Sequence, residues 1–160
     1  MDDTFYMQQA LKLAQEASAQ GEVPVGCVIV RGGEIVGRGR NTRETEKTAL
    51  GHAEIAAIED ACRHLGGWRL WDCTLYVTLE PCPMCAGAII NARIPRVVFG
   101  ARDEKYGACG SVCDLFSMDF NHRPEVTAGV LEEESKALMT DFFTRLRLTL
   151  KDRPKWKKPE

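Results

Sequence analysis

The chain has 160 residues and a mass of 17.8 kDa, a length that folds as one domain with a real core. Apolar residues make up 44% and charged ones 28%, and the 14 glycines and 7 prolines show no period, which excludes disordered, collagen-like and disulfide-stapled classes. No run approaches the roughly 18 apolar residues of a membrane span, and the start, MDDTFYMQQA, lacks the basic and apolar regions of a secretion signal, so the expectation is a cytoplasmic protein with no membrane contact.

Asp2 and Asp3 stand where a helix dipole favours acid, and Phe5, Met7 or Leu11, Leu13 or Ala14, and Ala17 recur at near-helical spacing, predicting a helix from Asp3 to Gln20. Val25–Val30 and Glu34–Arg40 are short β-rich runs joined by Arg31-Gly32-Gly33, a hairpin pattern. Asn41–Gly51 is polar and reads as a loop. His52–Leu65 places Ile55, Ile58, Ala61, Cys62 and Leu65 at steps of three and four before Gly66-Gly67, predicting a second helix. Thr74–Thr78 reads as a strand, Pro83–Ala92 as a helix with proline in its first turn, and Arg96–Gly100 as another strand. Strand, helix and strand in so short a span mark a parallel βαβ pair that helices must cover, so the fold class is α/β. Ala101–Pro124 has no clean period, Glu125–Val130 reads as a last strand, and Glu132–Lys151 as a C-terminal helix.

The net charge of −2 conceals an asymmetry. Arg145–Glu160 holds seven basic residues against two acidic, so this end is +5 and the rest of the chain is −7. Such an end suits a polyanion such as nucleic acid; a solvated helix end is the alternative. Seven cysteines, an odd number without a secretion signal, read as reduced thiols. Two form Cys82-Pro83-Met84-Cys85, for which metal binding, redox exchange and accidental spacing are all open.

The remaining ligands discriminate. A structural zinc site takes four protein ligands, whereas a catalytic one keeps three and leaves a position for water. There is no second C-x-x-C. His52-Ala53-Glu54 begins the helix before Cys82, and in a parallel α/β sheet successive helices start at the same sheet edge, so the two N-termini can converge. His52 and Glu54, two apart, can address one metal only beyond the helix end. Two thiolates and one imidazole would then hold Zn²⁺, leaving Glu54 to move protons. A closed zinc site completed by Cys109, Cys113 or His122 is the competing arrangement.

With His52-Ala53-Glu54 and Pro81-Cys82-Pro83-Met84-Cys85 the chain resembles the zinc-dependent nucleobase and nucleoside deaminases, whose H-x-E and P-C-x-x-C signature these are. Glu22-Val23-Pro24-Val25-Gly26, the Asn41 loop, the run from Thr74 to Arg93, Arg96–Asp103, Asn121-His122-Arg123 and Asp141-Phe142-Phe143 extend the resemblance, over nearly the whole chain, to the bacterial tRNA-specific adenosine deaminases. That resemblance implies a three-layer α/β/α cytidine-deaminase-like fold, with a mixed five-stranded sheet and helices on both faces. The domain would span residues 1–151 and be followed by a basic, flexible tail, 152–160. It implies a homodimer with one Zn²⁺ per subunit on His52, Cys82 and Cys85, and Glu54 as proton shuttle. It further implies Asn41, Val23, Leu79 and Asp103 around a flipped adenosine from the wobble position of a tRNA anticodon stem-loop, deaminated to inosine. The 43–50 loop, Cys109, Cys113 and the basic end depart from the family pattern.

Other residues carry weaker signals. Phe143, Arg145 and Arg147 could form an aromatic and basic RNA surface, with core phenylalanines as the alternative. Taken alone, Asn41 is a turn residue and Asp103 a cap. Glu80 receives no proton-transfer role, Trp68 and Trp71 are expected in the core or a dimer contact, and Cys27, Cys62 and Cys73 read as small buried hydrophobes. A deaminase of a free base or nucleoside such as guanine or cytosine, a non-catalytic zinc and RNA-binding module, and a thiol-disulfide oxidoreductase compete with the leading expectation.

Overall fold

The structure, a computed structural model, describes residues 2–150 and 159. The predicted tail, 152–160, lies outside the described residues apart from Pro159. Helix α1, Asp3–Ala19, is capped by Asp2, whose carboxylate accepts from Phe5 N. Its buried stripe is Tyr6, Met7, Ala10, Leu11, Ala14 and Ala17, so Phe5 is not on it as the spacing suggested: steps of three and four from Met7 serve the sheet, and Phe5, 40% exposed, packs edge-on against Tyr6.

Strands β1 (Gly26–Arg31) and β2 (Glu34–Arg40) form the predicted hairpin, with positive φ at both Gly32 and Gly33, the geometry that matches the strands' right-handed twist. Strands β3 (Cys73–Leu79) and β4 (Arg96–Ala101) are parallel, connected through α4 (Pro83–Asn91), as the βαβ pattern required. β5 (Glu125–Ala128) adds in parallel to β4, giving one mixed sheet of order β2-β1-β3-β4-β5. Alternation along the strands then sorts the core: Val28, Val30, Tyr76 and Val98 face α1, while Cys27, Ile29, Leu75, Val77, Val97 and Phe99 face α3 (Ala53–Leu65) and α4. The C-terminal helix α5 (Glu132–Leu150) lies on the α1 side, so helices cover both faces and the expected three layers are present. Arg96 forks onto the Asp3 carboxylate at 2.7 and 2.8 Å and also reaches Thr127, tying α1 to β4 and β5.

Three expectations are corrected. The 41–51 stretch is not loop throughout: Arg43–Glu46 forms a one-turn helix, α2, because Glu22 from outside the stretch accepts its free N–H groups. Trp68 and Trp71 are 50% and 56% exposed, so of the two expected places the core is ruled out and the dimer contact is left; Arg69 stacks over Trp68 at 4.1 Å. Of the two phenylalanines on α5, Phe142 is buried and Phe143 is not.

The stripe of α3 that lies deepest is Ala53, Ala57 and Ala61, whereas Ile58, Cys62 and Leu65 sit at its margins. The cause is on β2. A Cβ at Gly37 would stand 2.4 Å from Ala57 O, and one at Gly39 2.2 Å from Ala53 O, so glycine facing alanine lets the helix rest almost on the strand backbone. This seam sets the position of the α3 N-terminus. Gly39→Ala is expected to lower unfolding free energy by about 1–3 kcal/mol through overpacking, read by denaturant titration, while Gly67→Ala, where a Cβ meets nothing within 4 Å, shifts it by less than about 0.5 kcal/mol.

Candidate active site

His52 is the N-cap residue of α3 and Cys82 that of α4, both with extended backbone and neither using its side chain as a cap. The two helix ends meet at the sheet edge predicted for them, with Cys85 one turn into α4. His52 Nδ1 stands 3.5 Å from Cys82 Sγ and 3.4 Å from Cys85 Sγ. Tetrahedral zinc, with bonds of about 2.3 Å to sulfur and about 2.0 Å to nitrogen, sets nitrogen and sulfur about 3.5 Å apart, so the spacing and donor chemistry of the trio fit this ion.

Among the described residues this is the one group of three or more such donors close enough to share a metal. Cys109, Cys113 and His122 do not join it. Cys109 is buried, Cys113 is exposed, and the two lie in a turn closed by Gly110 N donating to Cys113 O, not on a helix. His122 Nε2 donates to Ile94 O at 2.6 Å. The trio therefore offers three donors that could hold a metal ion, with no fourth His or Cys beside them among the described residues.

The thiols are already polarised. The Cys85 thiol, hydrogen-bonded to Cys82, outweighs burial and lowers Cys82 to about 4, helped by His52 and by the Cys85 N–H at the helix end. Cys85 is pushed up by the neighbouring Cys82 and by burial, and His52 is pushed up by its bond to Cys82. Glu54, 4% exposed in the first turn of α3, is pushed up to about 7 by burial and by the charge of Cys82, against its own backbone N–H and His52. A carboxyl at that value can both take and give a proton at neutral pH.

These groups open onto a cavity of about 460 Å³, within the size range of small-molecule sites. Val23, Asn41, Leu79, Asp103 and Phe143, singled out from sequence, all line it, together with His52, Glu54 and Cys82. Cys85 lies behind them, buried. Arg145 and Arg147 are exposed on α5, outside the lining; Arg145 pairs with Asp141 one turn back. Asn41 is a turn residue as well as a lining one, its Oδ1 accepting from Arg43 N at 3.0 Å. Asp103 likewise accepts from Lys105 N and Tyr106 N. Arg43, Tyr106, Met84 and Met139 also line the cavity and were missed. Met139 had a signal, one helical turn before Phe143, and Met84 lay between the two cysteines of the motif; Arg43 and Tyr106 lie where the sequence shows no period.

Glu80 explains the order of the irregular segment after β4. It is 2% exposed, and its oxygens accept from Asp103 N at 3.2 Å, Cys109 N at 3.0 Å and Ser111 N at 3.1 Å, with the Ser111 hydroxyl as a further donor. Gly107 must lack a side chain here, since a Cβ would lie 2.4 Å from the Glu80 carboxyl. Burial would raise the carboxyl, but these donors outweigh it and hold it below the ordinary value. Glu80 thus builds the wall that carries Asp103 and Tyr106.

A mixed five-stranded sheet with three His and Cys donors at paired helix ends, beside a buried carboxyl, is the arrangement of a hydrolytic deaminase. Residues 1–147 match the family model of the MafB19-like deaminases, and the chain belongs to that family. Within it the chain stands among the tRNA-specific adenosine deaminases: it is 51% identical over 146 residues to the tRNA-specific adenosine deaminase of Bacillus subtilis (strain 168), covering 91% of each chain. Among solved structures it is similar to a tRNA:A34 deaminase from work on A-to-I editing at the wobble position of transfer RNA. There the TM-score is 0.82 at 44% identity, over 84% of this chain and 99% of that one. A guanine deaminase from Bacillus subtilis is similar at 32% identity and a TM-score of 0.63, over 100% and 99% of the two chains.

Glu80→Gln, which turns one acceptor into a donor facing N–H groups, is expected to lower unfolding free energy by about 2–4 kcal/mol. Because the folded carboxyl lies below its ordinary value, its contribution is complete above about pH 4.3, the unfolded value, and is lost as pH falls through the folded one. Protection factors for the amides of residues 103–111, corrected for the intrinsic exchange rate at each pH, should therefore fall in acid in the wild type and be low at every pH in the variant.

Proposed function

We propose that the protein is a zinc-dependent hydrolase that converts adenosine to inosine at the wobble position of a tRNA anticodon. The observation that carries this reading is the His52, Cys82 and Cys85 trio with buried Glu54 beside it, at the wall of one cavity. His52, Cys82 and Cys85 would hold one Zn²⁺ per subunit. Bound there, the ion supplies Lewis acidity that makes a water acidic enough to attack at neutral pH.

The chain's own groups carry the rest. Glu54 takes a proton from the attacking water and delivers it to N1 of the adenine as oxygen bonds to C6. It then moves the remaining proton to N6, the C6–N6 bond breaks, and ammonia leaves with inosine as product. Asn41 Oδ1 accepts from Arg43 N, which fixes the amide, and its Nδ2 donates to the flipped base. Val23 and Leu79 pack against the faces of the base, Asp103 lies toward the ribose and backbone, and Phe143, with Arg145 and Arg147 beyond it, offers the anticodon stem-loop an aromatic and cationic surface. Exposed Tyr106, Val112, Met118 and Phe120 in the segment after β4 give a homodimer its contact. Among the described residues no helix is long and apolar enough to cross a membrane; a tRNA substrate fits a cytoplasmic location.

The test is incubation of the zinc-loaded protein with an anticodon stem-loop carrying adenosine at the wobble position, with inosine read by mass. Glu54→Gln should lower kcat by at least about 10²–10⁴-fold while zinc content stays at one per chain. The KM for the stem-loop should rise steeply with salt. Turnover of free guanine or cytosine, with none of the stem-loop, moves the protein to the small-molecule branch toward which the guanine deaminase likeness points. RNA binding without turnover of any of these makes it a non-catalytic module.

A further inference from the structure

The turn after β2 brings two residues to the cavity, Asn41 and Arg43, yet it has little of its own to hold it. Helix α2 is a single turn, and its N-cap Thr42 makes no side-chain cap bond. The acceptors come from Glu22, about twenty positions upstream and 2% exposed. One carboxylate oxygen accepts from Glu44 N at 3.0 Å and the other from Thr45 N at 3.3 Å.

The same turn is gripped from its other side. Asn41 Oδ1 accepts from Arg43 N at 3.0 Å and Thr42 N donates to Gly51 O at 2.8 Å, while a Cβ on Gly51 would stand 2.9 Å from Arg43 N. The backbone of Arg43 is thus held tightly, but its side chain is exposed and makes no ion pair among the described residues. A carboxylate taken out of water is unfavourable unless its oxygens are bonded, and a Ser or Asp at position 42 would cap a surface turn with no buried charge. Spending a buried carboxylate on one turn is consistent with a demand on where that turn points.

We infer that Glu22 is a positioning residue: by fixing α2 it directs the Arg43 guanidinium and the Asn41 amide to the mouth of the cavity. Arg43 is thereby held where it can reach a phosphate oxygen of the substrate strand. This rests on the reading of the cavity as the tRNA-deaminase site. The guanidinium is a pure donor and Asn41 Nδ2 is a donor beside it, so both recognise acceptors, and a guanidinium gains most from a phosphate oxygen. A free base offers Arg43 no such partner.

The experiment is steady-state deamination of the anticodon stem-loop by the zinc-loaded full chain at two salt concentrations, comparing wild type with Glu22→Ala, Glu22→Gln, Arg43→Ala and the Glu22→Ala/Arg43→Ala double variant. Glu22→Ala is expected to raise KM about tenfold with kcat changed less than about threefold, and to flatten the salt dependence by about one charge. Glu22→Gln, which keeps one acceptor, falls between it and wild type. The double variant loses less than the product of the two single losses, because Glu22 and Arg43 share the Arg43 contact and only the part exerted through Asn41 adds to it. Equal losses in kcat and KM, full additivity with Arg43→Ala, or unchanged kinetics would each overturn the role. If Glu22→Ala fails to fold, Glu22→Gln and Arg43→Ala still decide between these outcomes. A wild type that deaminates a free base and not the stem-loop overturns the reading of the site, and the Glu22 role with it. An active wild type with an indifferent Glu22 overturns the role alone.

Discussion

Two helices have to begin at the same point of the sheet edge, close enough that an imidazole nitrogen on one and two sulfurs on the other can share a single ion, with His52 Nδ1 3.4 Å from Cys85 Sγ. A helix resting on large side chains would stand too far from β2 to achieve this. Packing Ala53, Ala57 and Ala61 against Gly37 and Gly39 brings α3 down onto the strand. The βαβ crossover, with Pro83 in the first turn of its helix, places the start of α4 at the end of β3. Small residues at this seam trade buried apolar area for position, and the larger core on the same face, around Phe99, Leu75 and Ile89, supplies the compensating burial.

The two walls of the cavity obey a different rule. One is irregular backbone and the other a single helical turn, and each presents N–H groups that have no helix or sheet partner. Each is organised by one buried carboxylate: Glu80 collects donors from Asp103, Cys109 and Ser111, and Glu22 collects them from Glu44 and Thr45. Among the described residues neither hydrogen-bonds to the His and Cys trio. Glu54, a third buried carboxyl, differs in having burial and a nearby thiolate as its dominant influences, which leaves it near neutrality instead of acidic. Three buried glutamates therefore have three environments, and the environment, not the residue type, separates a carboxyl poised near neutrality from those that hold backbone.

Much of this was legible in the chain. The hydrophobic periods placed the major elements within a residue or two, the Gly32-Gly33 pair announced the hairpin, and His52-Ala53-Glu54 with Cys82 and Cys85 announced a metal site, because ligand type and spacing are local properties. Val23, Leu79, Asn41 and Asp103 came through the family resemblance, and the structure brings all four to one cavity. The α3 pattern was legible only in part. Its large residues marked the correct face, but the alanines carry the closest contact, and a hydrophobicity pattern weights them least.

What eluded the sequence was contact between distant, aperiodic segments. Nothing in Glu22 or Glu80 as letters says that its oxygens lie under N–H groups more than twenty positions away, nor that Arg43 and Tyr106 meet at one opening. The sequence by itself determined the element order, the α/β class and the chemistry of the donor set, since these follow from periodicity, turn residues and ligand identity along a few consecutive positions. The tertiary structure decided how closely α3 approaches the sheet, which buried carboxyl is poised near neutrality and which ones build walls, because distance and desolvation are properties of packed neighbours and exist only once the chain has closed on itself.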